Sequence, residues 1–206
     1  MKNQNEDVFL EYLTKKPNLS YTLDILQRGD AIRARVLKDF WQGLLENLQN
    51  SAPKGVSSES LGWELYPDAK KMNENYAGLD CWHLEAEEQA LLLNYTVQQY
   101  CVPSKYQIYF GLSWENKQSS KSKVYSLTEV RTLQRFLADK KFKRTDWWLG
   151  WKYITQAESR EDFLSKYAKD REEVLLPIHE SFWRFFKDTT HMVMKANRAV
   201  RNFKGK

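Results

Sequence analysis

The stretch from Tyr106 to Trp114 reads YQIYFGLSW, and its large apolar side chains occupy every second position. In an extended chain, successive side chains point to opposite faces of a sheet. Tyr106, Ile108, Phe110, Leu112 and Trp114 therefore share one face. The alternation predicts a β-strand that buries this face.

Three more segments favour strands. Trp63 and Leu65 begin a strand that Pro67-Asp68 ends, Gly78–Leu84 reads GLDCWHL, and Leu91–Tyr100 reads LLLNYTVQQY. The acidic lead-in EAEEQ before the last of these is equally compatible with the start of a helix. Because the connections are short, residues 61–114 are predicted to form an antiparallel meander of about four to five strands.

Helical periodicity dominates on either side of this meander. Residues 1–50 are expected to be helical, with the clearest helix over Ala31–Asn50. From residue 124 onward the chain is expected to be mostly helical. One helix begins at Ser126, which forms a capping-box pattern with Glu129, one begins after Ser159, and a long one covers Pro177–Arg201. The prediction is one α+β domain over residues 1–206.

Composition excludes several classes of protein. No apolar run is long enough for a membrane helix, and the start of the chain lacks the pattern of a signal peptide. Cys81 and Cys101 have no metal-binding spacing, so free thiols and a cytoplasmic location are expected. No phosphate-binding glycine loop or nucleophile elbow occurs, and no cofactor is expected.

Residues 145–154 are predicted to be strand-like and hold three tryptophans, Trp147, Trp148 and Trp151. If this segment alternates regularly, Trp147 and Trp151 lie on an apolar face and pack inward. Trp148 then shares the mixed face with Lys152. This pair is predicted to contact a partner.

Charge is unevenly distributed along the chain. The whole chain has a net charge of +5, yet Lys117–Arg144 holds nine basic residues against two acids. Phosphate contacts by lysine and arginine, with bases stacked on exposed rings, would suit nucleic acid. Solvated helix faces are the alternative interpretation. The residues predicted to contact nucleic acid or another partner are Lys121, Lys123, Arg131, Arg135, Lys143, Arg144, Trp148 and Lys152.

One acidic arrangement suggests chemistry. Asp80 lies in a predicted strand, and Glu115 with Lys117 forms an acid-x-Lys triplet after a later strand. In a metal-dependent nuclease, such acids hold Mg²⁺ and the lysine helps to activate water. Asp80, Glu115 and Lys117 are therefore the catalytic residues of an alternative, nuclease interpretation.

Three segments carry a resemblance to a known family: DFWQGLLENL (Asp39–Leu48), YFGLSW (Tyr109–Trp114) and TDWWLGWKYI (Thr145–Ile154). In this order, followed by a long helical end, they resemble the C-terminal region of bacterial PD-(D/E)XK nuclease-like proteins. The resemblance implies a phage-defence or mobile-element setting. It also implies an accessory part without the nuclease core, which in that family lies upstream, so it assigns no catalytic residue here.

The preferred hypothesis is therefore a non-catalytic binding module that acts in a bacterial or phage nucleic-acid or defence context. Two alternatives from other classes stay open. One is the small Mg²⁺-dependent nuclease. The other is a protein–protein inhibitor or immunity-type module, in which an exposed tryptophan cluster would anchor the partner.

Overall fold

A computed structural model describes residues 4–54, 56, 60–66, 76–84, 92–102, 105–114 and 121–203. Helices precede and follow an antiparallel sheet, which confirms the predicted α+β class. The elements in chain order are α1 (Gln4–Thr14), α2 (Lys16–Gln27), α3 (Gly29–Asn50), β1 (Leu61–Tyr66), β2 (Gly78–His83), β3 (Leu93–Val102), β4 (Lys105–Trp114), α4 (Lys121–Val124), α5 (Thr128–Asp139), β5 (Trp148–Tyr153), α6 (Arg160–Lys169) and α7 (Arg171–Asn202). Among the described residues, no helix has the length and apolar character needed to cross a membrane.

The sheet is a meander in which each strand pairs with the next along the chain, in the order β1-β2-β3-β4-β5. All pairs are antiparallel, and β3 and β4 pair along their whole length, from Leu93 opposite Trp114 to Val102 opposite Lys105. The predicted third strand is thus real, although it starts at Leu93. The acidic lead-in at residues 85–89, which was compatible with a helix, lies outside the described residues.

Helices cover one face of this sheet. Alternate residues of β4 on that face, from Tyr106 to Leu112, are buried, as their spacing predicts. Trp114, the last residue of this predicted face, is also buried but borders the cavity on the other side of the sheet. The long helix α7 supplies much of the opposing surface, and its Phe186 ring lies 4.7 Å from the ring of Tyr95 on β3. Phe185 contacts Phe110 with their centroids 5.0 Å apart. The core is therefore built largely from aromatic rings in edge and tilted contacts.

The C-terminal helices differ from the prediction in where they divide. Ser159 caps α6 as expected, since its hydroxyl accepts a hydrogen bond from the Asp162 amide at 3.0 Å. The break then falls at Asp170, whose carboxylate accepts from the Glu173 amide at 3.0 Å and so starts α7. Pro177 lies inside α7, so the predicted helix start at Pro177 is wrong. The Asp170 side chain caps free amides at the start of α7, so the helix begins before Pro177 is reached.

The predicted capping box at Ser126 is also wrong. Helix α5 begins at Thr128, and its N-cap residue Leu127 makes no side-chain cap bond. The Ser126 hydroxyl instead donates to the Lys123 carbonyl at 2.6 Å. The short helix α4 ends immediately before this point, and its last carbonyls compete for the serine hydroxyl.

The two cysteines are free thiols, as expected, and both are buried. By contrast, the apolar residues of the first two helices are largely exposed, and α2 buries none of its side chains. Val8 is 67% exposed, and Leu26 is 70% exposed.

A buried polar network joins α3 to the sheet. The Gln99 side-chain oxygen accepts one hydrogen bond from the Trp41 indole N–H at 3.0 Å and another from the Tyr106 hydroxyl at 2.9 Å. Trp41, Gln99 and Tyr106 are all fully buried. Because water cannot reach them, each donor depends on this one acceptor.

We therefore expect Gln99→Leu to lower the free energy of unfolding by about 2 kcal/mol or more, because two buried donors lose their acceptor. Chemical denaturation followed by circular dichroism measures this. In the triple variant Trp41→Phe, Gln99→Leu, Tyr106→Phe no buried donor of this network is left unpaired, so part of the loss should be recovered. A change of less than about 0.5 kcal/mol in the single variant would contradict the role of the network.

Candidate ligand-binding face of the sheet

The second face of the sheet borders a cavity of about 1050 Å³. We call this surface the open face. Its walls come from all five strands and from the segment before β5, and most of its side chains are aromatic. The aromatic residues of the open face are Tyr66, Tyr76, Trp82, Tyr100, Tyr109, Trp114, Trp147, Trp148, Trp151 and Tyr153. The polar ones are Glu64, Asp80, Asn94, Thr96, Gln98, Ser113 and Thr145.

An irregularity in the pairing of β4 with β5 sets which rings reach this face. Tyr153 pairs with Tyr109 and Trp151 with Gly111, but the register shifts between Leu112 and Ser113. Ser113 consequently pairs with Trp148, and Leu149 is the extra residue of a β-bulge. The bulge places Trp148 on the same face as Trp151 and Tyr153.

These three rings surround the ring of Tyr109. Its centroid lies 5.3 Å from both Trp148 and Trp151 and 5.9 Å from Tyr153. Gly111 is required beneath this cluster, since a Cβ there would come within 2.0 Å of the Gly150 carbonyl oxygen. Packing against one another fixes the rings in place before any ligand arrives, which lowers the entropic cost of binding.

Trp82 forms a second ring platform at the other side of the face. Its indole lies over Gly62, where a Cβ would approach within 2.3 Å of the ring. Gly62 therefore lets the large Trp82 ring lie close to the backbone of the neighbouring strand, whereas Gly111 allows the backbone of β5 to approach β4 closely.

A row of polar groups crosses the sheet between the two aromatic regions. The Thr96 hydroxyl donates to the Asp80 carboxylate and also hydrogen-bonds the Ser113 hydroxyl at 2.5 Å. Asp80 lies directly opposite Glu64 in the pairing of β1 with β2. The centre of the open face is thus a hydrogen-bonding strip that carries two carboxylates.

One acceptor in this strip has no partner among the described residues. The Asn94 side chain is 5% exposed, and its Oδ1 atom makes no hydrogen bond within the part of the chain that the structure describes. An unpaired buried carbonyl costs free energy. A ligand that donates a hydrogen bond to it would recover that cost.

The phenols of the face are held in their neutral form. Burial, reinforced by the neighbouring Asp80 carboxylate, raises the pKa of Tyr66 well above its usual value. Burial likewise raises the pKa of Tyr109, whose hydroxyl donates to the Gln98 side chain. Both tyrosines remain hydrogen-bond donors throughout the physiological pH range.

Basic residues lie at the edge of the open face and not in its centre. The described lining contains no lysine or arginine. Lys143 lies 5.4 Å from the Trp151 ring, and Lys105 lies 5.8 Å from the Tyr100 and Tyr153 rings. Arg144, next to Thr145 of the lining, stacks on Tyr125 at 4.0 Å. We call Lys105, Lys143 and Arg144 the basic rim.

The residues predicted to contact nucleic acid or another partner lie on both sides of the sheet. Lys143 and Arg144 belong to the basic rim, and Lys123 is exposed on α4. The side chain of Lys121 lies outside the described residues. The exposed Arg131 and Arg135 belong to α5, which packs on the helix-covered side.

Lys152 also points to the helix-covered side. Its ammonium group lies 4.6 Å from the Phe142 ring. The predicted pairing of Trp148 with Lys152 on one face is therefore wrong.

The burial of Trp147 and Trp148 is the reverse of the prediction, and Trp151, also predicted to pack inward, is half-buried on the open face. Trp147 is 47% exposed, whereas Trp148 is only 9% exposed. The prediction assumed regular alternation from residue 147 to 154. The strand begins at Trp148 instead, and Leu149 and Gly150 both face the helices because of the bulge.

The nuclease alternative can be placed only in part. Asp80 lies on the open face, while Glu115 and Lys117 lie outside the described residues. Within the described residues, no three histidine, cysteine or acidic side chains gather as a metal-binding group. Asp80 and Glu64 are the two carboxylates that the described open face could offer to Mg²⁺.

The chain matches no protein-family model, and searches of characterised proteins and of solved structures found no significant match.

Sequence reasoning missed most of the open face. Asn94, Thr96, Gln98 and Tyr100 occupy alternate positions of β3, opposite in parity to the buried Tyr95 and Val97. The alternate spacing of these four polar or aromatic residues could have shown that they share one face of the strand. The spacing identifies a binding surface only when Tyr109 of β4 is known to lie on the same face.

The corrected burial yields a direct test. Trp148→Ala should lower the free energy of unfolding by about 3 kcal/mol, because it removes a buried ring from the Tyr109 cluster. Trp147→Ala should cost less than about 1 kcal/mol, because that side chain is half exposed. Urea denaturation of the two variants makes the comparison, and the opposite ranking would contradict the burial of Trp148 and the exposure of Trp147.

Proposed function

We propose that this chain is a non-catalytic module that binds single-stranded nucleic acid on the open face of its sheet. Unpaired bases stack on the aromatic rings, and the backbone phosphates contact the basic rim. The observation that carries this proposal is the 1050 Å³ cavity with aromatic walls and basic residues along its edge.

Stacking is the first reason for this choice of ligand. Every base has a flat π-face, and aromatic side chains on a sheet bind unpaired bases without requiring one sequence. The half-buried rings of Trp151 and Tyr153 form one such region, and Trp82 forms a second on the same concave surface. In a duplex the bases are already stacked on each other, so unpaired strands are the form that this surface suits.

The polar strip supplies groups that suit base edges. Asn94 Oδ1 and the Asp80 carboxylate are acceptors, and the neutral phenol of Tyr66 is a donor. Amino and imino groups of bases would donate to the acceptors. The unpaired oxygen of Asn94 is the group that gains most from such a bond.

Electrostatics separates bases from phosphates on this surface. Glu64 and Asp80 repel phosphates from the centre of the face, whereas Lys105 and Lys143 attract them to its edge. A strand bound with its bases inward and its backbone along the basic rim satisfies both conditions. The same arrangement disfavours a ligand that would place an anion at the centre.

The biological setting follows from the resemblance to the C-terminal region of PD-(D/E)XK nuclease-like proteins. On that basis we propose a bacterial or phage-derived accessory module in nucleic-acid metabolism or phage defence, acting in the cytoplasm. The nuclease and protein–protein interpretations stay as predictions from the sequence.

Binding is measured by tryptophan fluorescence quenching and by anisotropy of a labelled single-stranded oligonucleotide. The affinity should fall as salt rises, since phosphate contacts release counterions. Trp151→Ala should weaken binding by roughly tenfold, the loss expected for one stacked base. Lys143→Gln should weaken it as well and reduce the salt slope by about one.

Matched controls use a lysine and an arginine away from the open face. Lys187→Gln on α7 and Arg131→Gln on α5 should leave affinity almost unchanged, and circular dichroism checks that every variant is folded. Equal affinity for duplex and single strands would contradict base stacking. Cutting of the oligonucleotide with Mg²⁺ or Mn²⁺ that Asp80→Asn abolishes would overturn the non-catalytic part and favour the nuclease.

A further inference from the structure

A second cavity, of about 270 Å³, lies on the helix-covered side of β5, between that strand, the end of α5 and the middle of α7. Three basic side chains line it: Lys140, Lys152 and Arg184. They come from three separate elements, so helical or strand periodicity does not account for their meeting. Tertiary packing brings them together.

The bulge in β5 brings Lys152 here. With Leu149 as the extra residue, Lys152 pairs with Phe110 and points towards the helices. Its ammonium group lies 4.6 Å from the Phe142 ring and 5.7 Å from the Phe110 ring. A cation against two ring faces is positioned by them and partly shielded from water.

The end of α5 brings Lys140. The helix closes with Lys141 in the left-handed conformation, at φ 62°. The Lys141 amide donates to the Ala138 carbonyl and the Phe142 amide to the Leu137 carbonyl, both at 2.9 Å. This is a Schellman turn, and it sets Lys140 and Phe142 side by side at the cavity.

The Asp188 carboxylate also lines the cavity, beside the three cations. None of the three cations forms an ion pair with it or with another residue in the described part of the chain. Burial lowers the pKa of Lys152, and the positive charges of Lys140 and Arg184 lower it further. Like charges brought together in a partly buried site destabilise the protein unless an anion joins them.

We infer that this cavity binds a phosphoryl group, held by Lys140, Lys152 and Arg184 with the Ser181 hydroxyl as a further donor. Arginine offers a planar pair of N–H donors to phosphate oxygens, and lysine binds phosphate as a compact charge. A phosphate suits this set better than a carboxylate, because several cations can each contact a different oxygen. The phenylalanine walls leave room for an apolar portion of a phosphate ester.

This site is distinct from the open face, since β5 separates the two cavities. The proposal therefore does not depend on single-stranded binding. The phosphoryl group could belong to a small phosphate ester or to the end of a nucleic acid strand. Both present the same oxygens.

The test is isothermal titration of the folded protein with inorganic phosphate and with phenyl phosphate, in a chloride buffer of constant ionic strength. Saturable binding of either probe is expected. Lys152→Met and Arg184→Gln should each weaken it roughly tenfold, as the loss of a charge-assisted hydrogen bond requires. Arg198→Gln, an exposed residue of the same helix, is the matched control and should change nothing.

Two oligonucleotides distinguish the sources of the group. If a strand end is the ligand, a 5′-phosphorylated oligonucleotide should bind more tightly than the same strand without the phosphate, and Lys152→Met should abolish the difference. If a small ester is the ligand, phenyl phosphate should bind while the two oligonucleotides bind alike. Failure of both phosphate probes to exceed chloride, or binding that neither variant weakens, would overturn the proposal.

Discussion

The packing of helix α7 against one face of the meander is the interaction on which the rest of the structure depends. Phe185 and Phe186 of this helix meet Phe110 and Tyr95 of the sheet, and these rings supply much of the core. A sheet of five strands needs one covered face to be stable. Once helices provide that cover, the opposite face is available for other chemistry.

That division explains why so many aromatic residues occur in one chain. Some are core residues, such as Phe186 and Tyr106, which stabilise the protein through buried area and ring contacts. Others, such as Trp151 and Trp82, lie on the open face, and the Trp82 ring lies over Gly62. The buried Gln99 network belongs to the first group and the Asp80–Thr96–Ser113 strip to the second. The polar cluster on the helix-covered face pairs buried donors with an acceptor, and the polar cluster on the open face presents hydrogen-bonding groups to the cavity.

Much of the fold could be predicted because its elements follow simple periods. The alternation in β4 and the helical spacing in α3 hold almost without exception, and Ser159 is an ordinary N-cap. The errors fall where local signals compete. Asp170 and Pro177 both suggest a helix start, and the cap at Asp170 prevails. Composition alone could not reveal the open face, because strand pairing joins residues distant in sequence.

The bulge at Leu149 has a consequence for how this protein can change. The number of residues in the strand, and not the identity of these residues, determines which face of the sheet Trp148 and Lys152 lie on. Substitution at either position alters a side chain but leaves its direction intact. Only an insertion or a deletion would exchange the two sides, and it would disturb both cavities at once. The length of β5 thus determines both the open face and the second cavity, although Tyr153 is the one residue that lines both.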